Sequence, residues 1–163
     1  MSQPEPDILQ ESTSLRDSFQ TLLMATVNRD GEPEASYTPY LFTEGRFYIF
    51  VSGLSSHTAN LQDTGKVSLL FIEDERDVRN LFARRRLSYQ CTATPIARED
   101  SRWEPLLDQF QERHGGTVGL LRQLPDFVLF ELTPTRGSFV KGFGQAYALE
   151  GENLEQVRQI TGK

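Results

Sequence analysis

The chain has 163 residues, 17 Lys and Arg against 23 Asp and Glu for a net charge of -6, and one cysteine. That length fits one domain, the acidic balance excludes a general binder of phosphate backbones, and a lone Cys91 excludes an intrachain disulfide, so the reducing cytoplasm is the expected compartment. Apolar runs such as 47–51 and 69–72 are much too short to span a bilayer and the acidic start lacks a signal core, so no membrane association is expected; two histidines without paired ligand spacing give zinc no site.

Ile8, Leu15 and Phe19 recur at roughly helical spacing among polar neighbours, which predicts an amphipathic helix within residues 1–20. "QTLLMATVN" reads as a strand, Asp30-Gly31 as a hairpin turn and "EASYTPYLF" as the return strand. A second tight turn, "TEGR", leads into "RFYIFVS", so an antiparallel meander of three strands is expected. Ser55 or Ser56 can cap a short helix through about Asp63, with Gly65 as its stop, and "KVSLLFIED" is the next strand.

"DERDVRNLFARR" allows a short helical turn over Val78, Leu81 and Phe82. In "RLSYQCTATPI", Leu87, Tyr89, Cys91 and Ala93 alternate with polar residues, the period of a half-buried strand. "EDSRWEPLLDQFQERHGG" predicts a helix with Ser101 and Glu104 as a capping box, one apolar stripe over Trp103, Leu106, Leu107 and Phe110, and a stop at Gly115-Gly116. "DFVLFELTP" and "GSFVKGFGQAYALEG" predict two strands around a turn at Pro134 to Gly137, followed by a C-terminal helix near Asn153 to Gln159. The expected class is mainly β (α+β): six or seven antiparallel strands, closed into a barrel because closure removes exposed edges, with helices at the periphery. A single domain spans 1–163, with the helix in 1–20, the barrel in 21–150 and a helix or tail in 151–163.

Three segments could carry chemistry. Ser52, Ser56 and His57 lie where a strand hands over to a helix, which reads equally as an ordinary cap with an exposed histidine or as an anion seat made of hydroxyls, helix N–H groups and an imidazole. Arg84, Arg85 and Arg86 run consecutively into a strand. They can be a charged edge that discourages aggregation, or Arg84 and Arg86 can share a face and fork an anion. In "FVKGFGQAY" the glycines lack the spacing and following helix of a nucleotide loop and suggest a bulge, while Lys141 points either at a ligand or at water. His114 suits a helix C-terminus as a cation, and the tyrosines, Tyr37 and Tyr40 among them, read as core or interface aromatics.

The order "EASYTPYLF", "FYIFVSGLSSHTANLQ", "VSLLFIEDE", "ARRRLSYQCTA" resembles the FMN-binding split barrel of the pyridoxamine 5'-phosphate oxidase superfamily. Within it, "SSHTANL", "LFARRRL", "LPDFVLF" and "FVKGFGQAY" are similar to heme-utilisation proteins of the HugZ/HutZ type over nearly the whole chain. The resemblance implies that Ser52, Ser56 and His57 sit in the FMN phosphate segment, Arg86 at the basic strand position, and Ser36 with Tyr37 on the strand lining the flavin. It implies a homodimer with the ligand between subunits, and in the heme-utilisation branch the same cleft takes heme, whose propionates are also anions. Asp126 matches the family aspartate that partners an axial histidine from a tail beyond the last barrel strand, whereas the last histidine of this sequence is His114. Three functions follow as expectations: oxidative heme degradation fed by a separate electron donor, FMN-dependent oxidation of a small substrate, or a heme or flavin carrier without turnover.

Overall fold

The computed structural model describes residues 5–162. Helix α1 (Glu5–Asp17) precedes strands β1 (Thr21–Val27), β2 (Pro33–Pro39), β3 (Leu41–Thr43) and β4 (Arg46–Ser52). Helix α2 (Ser56–Thr64) leads to β5 (Lys66–Ile72), two single 3-10 turns (Glu75–Asp77 and Leu81–Ala83) and β6 (Arg86–Ile96). Helices α3 (Trp103–His114) and α4 (Thr117–Leu121) then precede β7 (Phe127–Gly142), β8 (Gln145–Glu150) and β9 (Gln156–Ile160). No helix among the described residues is long and apolar enough to cross a membrane.

Nine strands, rather than six or seven, form one antiparallel sheet in the order β2-β1-β5-β6-β7-β4-β3, with β8 and β9 added beside β7. The sixteen-residue β7 accounts for the split. Its first half pairs with β4, Phe47 opposite Leu132 through Ser52 opposite Phe127, and its second half pairs with β8. β6 runs along its other edge.

The predicted turns at Asp30-Gly31 and in "TEGR" form, while one predicted strand and one predicted turn differ in the structure. The chain leaves β2 at Pro39, which has no N–H to extend a ladder, and buried Tyr40 drops its hydroxyl onto the Arg16 and Phe19 carbonyls at 2.6 and 2.8 Å. The expected meander is therefore two pairs, β1 with β2 and β3 with β4, at opposite ends of the sheet order. Pro134 makes no turn. It lies within β7 where the register with β6 shifts at Gln90/Cys91, between the stretches paired to β4 and to β8, so its missing N–H breaks no second ladder. The actual reversal falls at Phe143-Gly144, where Gly144 has φ 65°.

The helix expected near 153–159 is β9, whose alternating exposure follows from pairing the free edge of β8. α3 starts at Trp103 with Arg102 at its N-cap and no side-chain cap bond, and Asp100 rather than Ser101 organises the preceding turn by accepting the Arg102 N–H at 2.9 Å. Glu104 pairs with Arg122 from beyond α4 at 3.0 Å, so the anticipated capping box does not form.

The main core fills the barrel, with Leu22, Phe47, Ile49, Leu69, Phe71 and Phe130 almost fully buried. A second core, Tyr48, Phe50, Trp103, Leu107 and Phe110, lies on the outer face of β4 beneath α3. β4 is thus apolar on both faces because both are covered.

Candidate functional site

The barrel strand β4 ends at Ser52, and the next residue cannot carry a side chain. The Gly53 N–H donates to the Asp126 carbonyl at 2.7 Å, and a Cβ there would meet the same oxygen at 2.7 Å. Ser52 Oγ donates to the Asp126 carboxylate at 3.3 Å and accepts the Leu54 N–H at 3.1 Å, while Thr58 donates to the Ser52 carbonyl. These bonds seat the start of α2, whose N-cap Ser55 makes no side-chain cap bond. Buried Asn60 donates to Thr26 at 3.1 Å and fixes the helix on β1, and the left-handed Gly65 ends it as the sequence predicts.

At the first turn of α2, Ser56 Oγ donates to the Glu34 carboxylate at 2.5 Å. His57 is half-buried. Burial pushes its pKa below the ordinary 6.5, against a smaller opposing pull from Glu34, so the neutral imidazole is favoured. It makes no hydrogen bond or ion pair among the described residues. Glu34 and Ser36 share one face of β2, opposite Thr26 and Met24. The Ser36 hydroxyl is buried without any partner, which marks an unfilled donor position on the strand beside α2.

Ser36, Ser52, Ser56, His57 and Asp126 therefore belong to one neighbourhood. Glu34, which the sequence places only at the start of the return strand, joins them; its alternation with Ser36 along that strand was the available signal. Tyr37 points the other way, 65 % exposed, on the outer face of the sheet with Leu23.

The basic residues lie elsewhere in the same chain. Arg84 precedes β6 and donates Nε to the Glu73 carbonyl at 2.9 Å, so the expected face shared with Arg86 is not formed. Arg85 pairs with Glu73 at 3.0 Å. Lys141 meets Glu11 at 2.9 Å and fastens α1 to β7, a partner rather than open water. Arg86 is exposed, opposite Ile72 and Val140, whereas Glu34 lies opposite Thr26 and thereby Val67. Five residues of β5 separate those two registers, about 17 Å along the strand. His114 also departs from expectation: its Nε2 meets the Tyr40 carbonyl at 2.8 Å, and burial lowers its pKa, so it is not a surface cation.

A profile described as pyridoxamine 5'-phosphate oxidase matches residues 8–141, a range that runs from α1 through β7 and includes the helix start after β4. The chain belongs to the pyridoxamine 5'-phosphate oxidase family. Among relatives of this oxidase-family chain, the heme oxygenase HutZ of Vibrio cholerae is 39% identical over 150 residues, 92% of this chain and 83% of HutZ. The crystal structure of Vibrio cholerae HutZ, described there as a heme storage protein, superposes with a TM-score of 0.73 at 35% identity, covering 78% of this chain and 89% of that one. Campylobacter jejuni ChuZ superposes at 0.86 with 31% identity, covering 98% of this chain and 65% of ChuZ.

FMN, which the split barrel implies, brings a phosphate dianion. The residues at the start of α2 do not fit it as one chain presents them. Two serine hydroxyls are spent on carboxylates, Glu34 and Asp126 bring negative charge, and no Lys or Arg pairs with any member of the group among the described residues. What the oxidase-family chain leaves unspent there is the His57 imidazole and the orphaned Ser36 hydroxyl, a set suited to a ligand of lower local charge.

Proposed function

We propose that two copies of this chain form a cleft that binds heme and supports its oxidative opening, with electrons from a separate donor. The observation that carries this reading is the 39% identity to a heme oxygenase over 92% of the chain. The α2 start supports it. A neutral imidazole is the form that ligates iron or donates one N–H to a propionate, and the Glu34 and Asp126 carboxylates disfavour a phosphate dianion more than a porphyrin with dispersed charge. Bound heme would supply the redox chemistry; His57 and Ser36 would hold it, with Ser52 and Ser56 fixing the α2 start through Asp126 and Glu34.

Arg86 supports the second copy. It is exposed and has no hydrogen-bond or ion-pair partner among the described residues, too far along the sheet to reach the α2 start of its own chain. Its outer face also exposes Leu23 at 46 %, Tyr37 at 65 % and Ile160 at 44 %, large apolar residues on an uncovered sheet. Apposition of two such faces buries them and brings each Arg86 toward the partner's α2, where a guanidinium can grip a propionate. A dimer cytoplasmic in location is the corresponding setting.

Hemin titration tests the reading. The expected result is a shifted Soret band saturating at one heme per chain, at least tenfold weaker in His57→Ala, with that band lost under ascorbate and oxygen. An unshifted spectrum together with retained FMN overturns it in favour of a flavin oxidoreductase. A saturating Soret shift that survives ascorbate and oxygen selects a carrier, a second reading favoured by the naming of the same Vibrio cholerae relative as a heme storage protein.

A further inference from the structure

A cavity of about 750 Å³ opens far from the α2 start, between α1, the β3–β4 turn and the β8–β9 loop. Its volume lies in the range of sites that enclose small molecules. Arg16 lines it with only 9 % of its surface exposed. The guanidinium lies 3.8 Å over the Phe42 ring and is held through Nε and Nη2 by Asp17 at 2.9 and 3.3 Å. The Tyr89 phenol stands beside it and lines the same space. Leu9, Leu149 and Leu154 add apolar wall around this buried donor pair.

The mouth is acidic on balance. Exposed Glu44, Glu152 and Glu155 line it against one exposed cation, Arg46, which leans on Glu131 at 3.7 Å. Glu44 and Leu154, at φ 52° and 57°, are the non-glycine residues with left-handed backbone among those described, and both line this cavity. Glu44 takes this conformation because the two-residue β3–β4 hairpin requires it, and Leu154 takes it in the β8–β9 loop.

We propose that this cavity binds a small apolar acid, one carboxylate on a hydrocarbon or aryl body, with the carboxylate at Arg16 and Tyr89 and the body against the leucines. Asp17 occupies the Nε and Nη2 side of the guanidinium, so the incoming carboxylate is met by the remaining Arg16 N–H donors and the Tyr89 hydroxyl. The rim, three glutamates against Arg46, is net negative and disfavours a phosphate monoester, while a monocarboxylate carries half the charge. The neutral alcohol of the same body loses the charge-assisted hydrogen bonds.

Calorimetric titration of the intact protein with decanoate, decyl phosphate and decanol tests this. Decanoate is expected to bind once per chain, at least tenfold more tightly than either analogue. Arg16→Gln should weaken it at least tenfold. Thr13→Trp, a half-exposed α1 position that lines the cavity, should do the same by filling the space while leaving the hemin-induced Soret shift unchanged. Should Arg16→Gln fail to fold, Thr13→Trp decides alone. Absence of decanoate binding, equal binding of decyl phosphate, or decanoate binding untouched by Thr13→Trp overturns the proposal, whatever the outcome at the heme cleft.

Discussion

Two histidines in this chain share one electrostatic condition and differ in everything around it. Burial pushes both His57 and His114 below the ordinary pKa of 6.5. His114 is used up: its ring meets the Tyr40 carbonyl at 2.8 Å, beside a knot in which Tyr40 donates to Arg16 and Phe19 and Arg113 donates to Phe19 at 3.0 Å. His57 has no such partner, and its neighbours Ser52 and Ser56 lean on carboxylates with the Ser36 hydroxyl left over. A perturbed titration therefore does not mark a site by itself; unfinished hydrogen bonding beside it does.

The largest effect that separates the two regions is expected from Tyr40→Ala. It removes a ring packed within 5.8 Å of Phe47 and 5.3 Å of Phe71 together with its two carbonyl bonds, a loss of about 3–5 kcal/mol by analogy with other buried aromatic truncations. Denaturant unfolding reads the loss, and hemin affinity under native conditions should stay within twofold. A matching fall in affinity would join the regions that the comparison separates.

A smaller effect distinguishes the histidines by pH. Each is depressed in the folded chain, so the unfolded chain binds more protons, and stability present above about pH 6.5 is lost as pH falls through each folded value. Thermal midpoints should drop on acidification from pH 7 toward pH 5. His114→Gln, which keeps a donor for the Tyr40 carbonyl but cannot charge, should show a shallower drop. Equal slopes for the two proteins would remove His114 as a source of acid sensitivity.

Much of this was legible from residues alone. Alternation in "RLSYQCTATPI" gave the buried Leu87, Tyr89 and Cys91, and the stripe through Trp103 and Phe110 gave the inner face of α3, because each pattern reports a local period against one core. The failures share a different origin. Pro134 looks like a turn but sits inside β7, and residues 153–159 look helical but complete an edge, since both outcomes depend on which strands lie alongside. At the site, the helix start after β4 was visible while Glu34 was not, and the separation of Arg86 from His57 needed the sheet register.

The smallest stability change carries the sharpest test, because its two readouts are expected to move in opposite directions. Ser36 keeps a buried hydroxyl with no partner, which costs the folded chain about 1–3 kcal/mol when nothing replaces the lost water. Ser36→Ala removes that hydroxyl with little change in shape, so the unfolding midpoint should rise by up to about 1 kcal/mol of stability. If the hydroxyl is kept for a ligand, hemin should bind several-fold more weakly to the same variant. A protein that gains stability and loses affinity retains the residue for binding; one that gains stability at unchanged affinity removes Ser36 from the cleft and leaves His57 as the only unsatisfied group the comparison rests on.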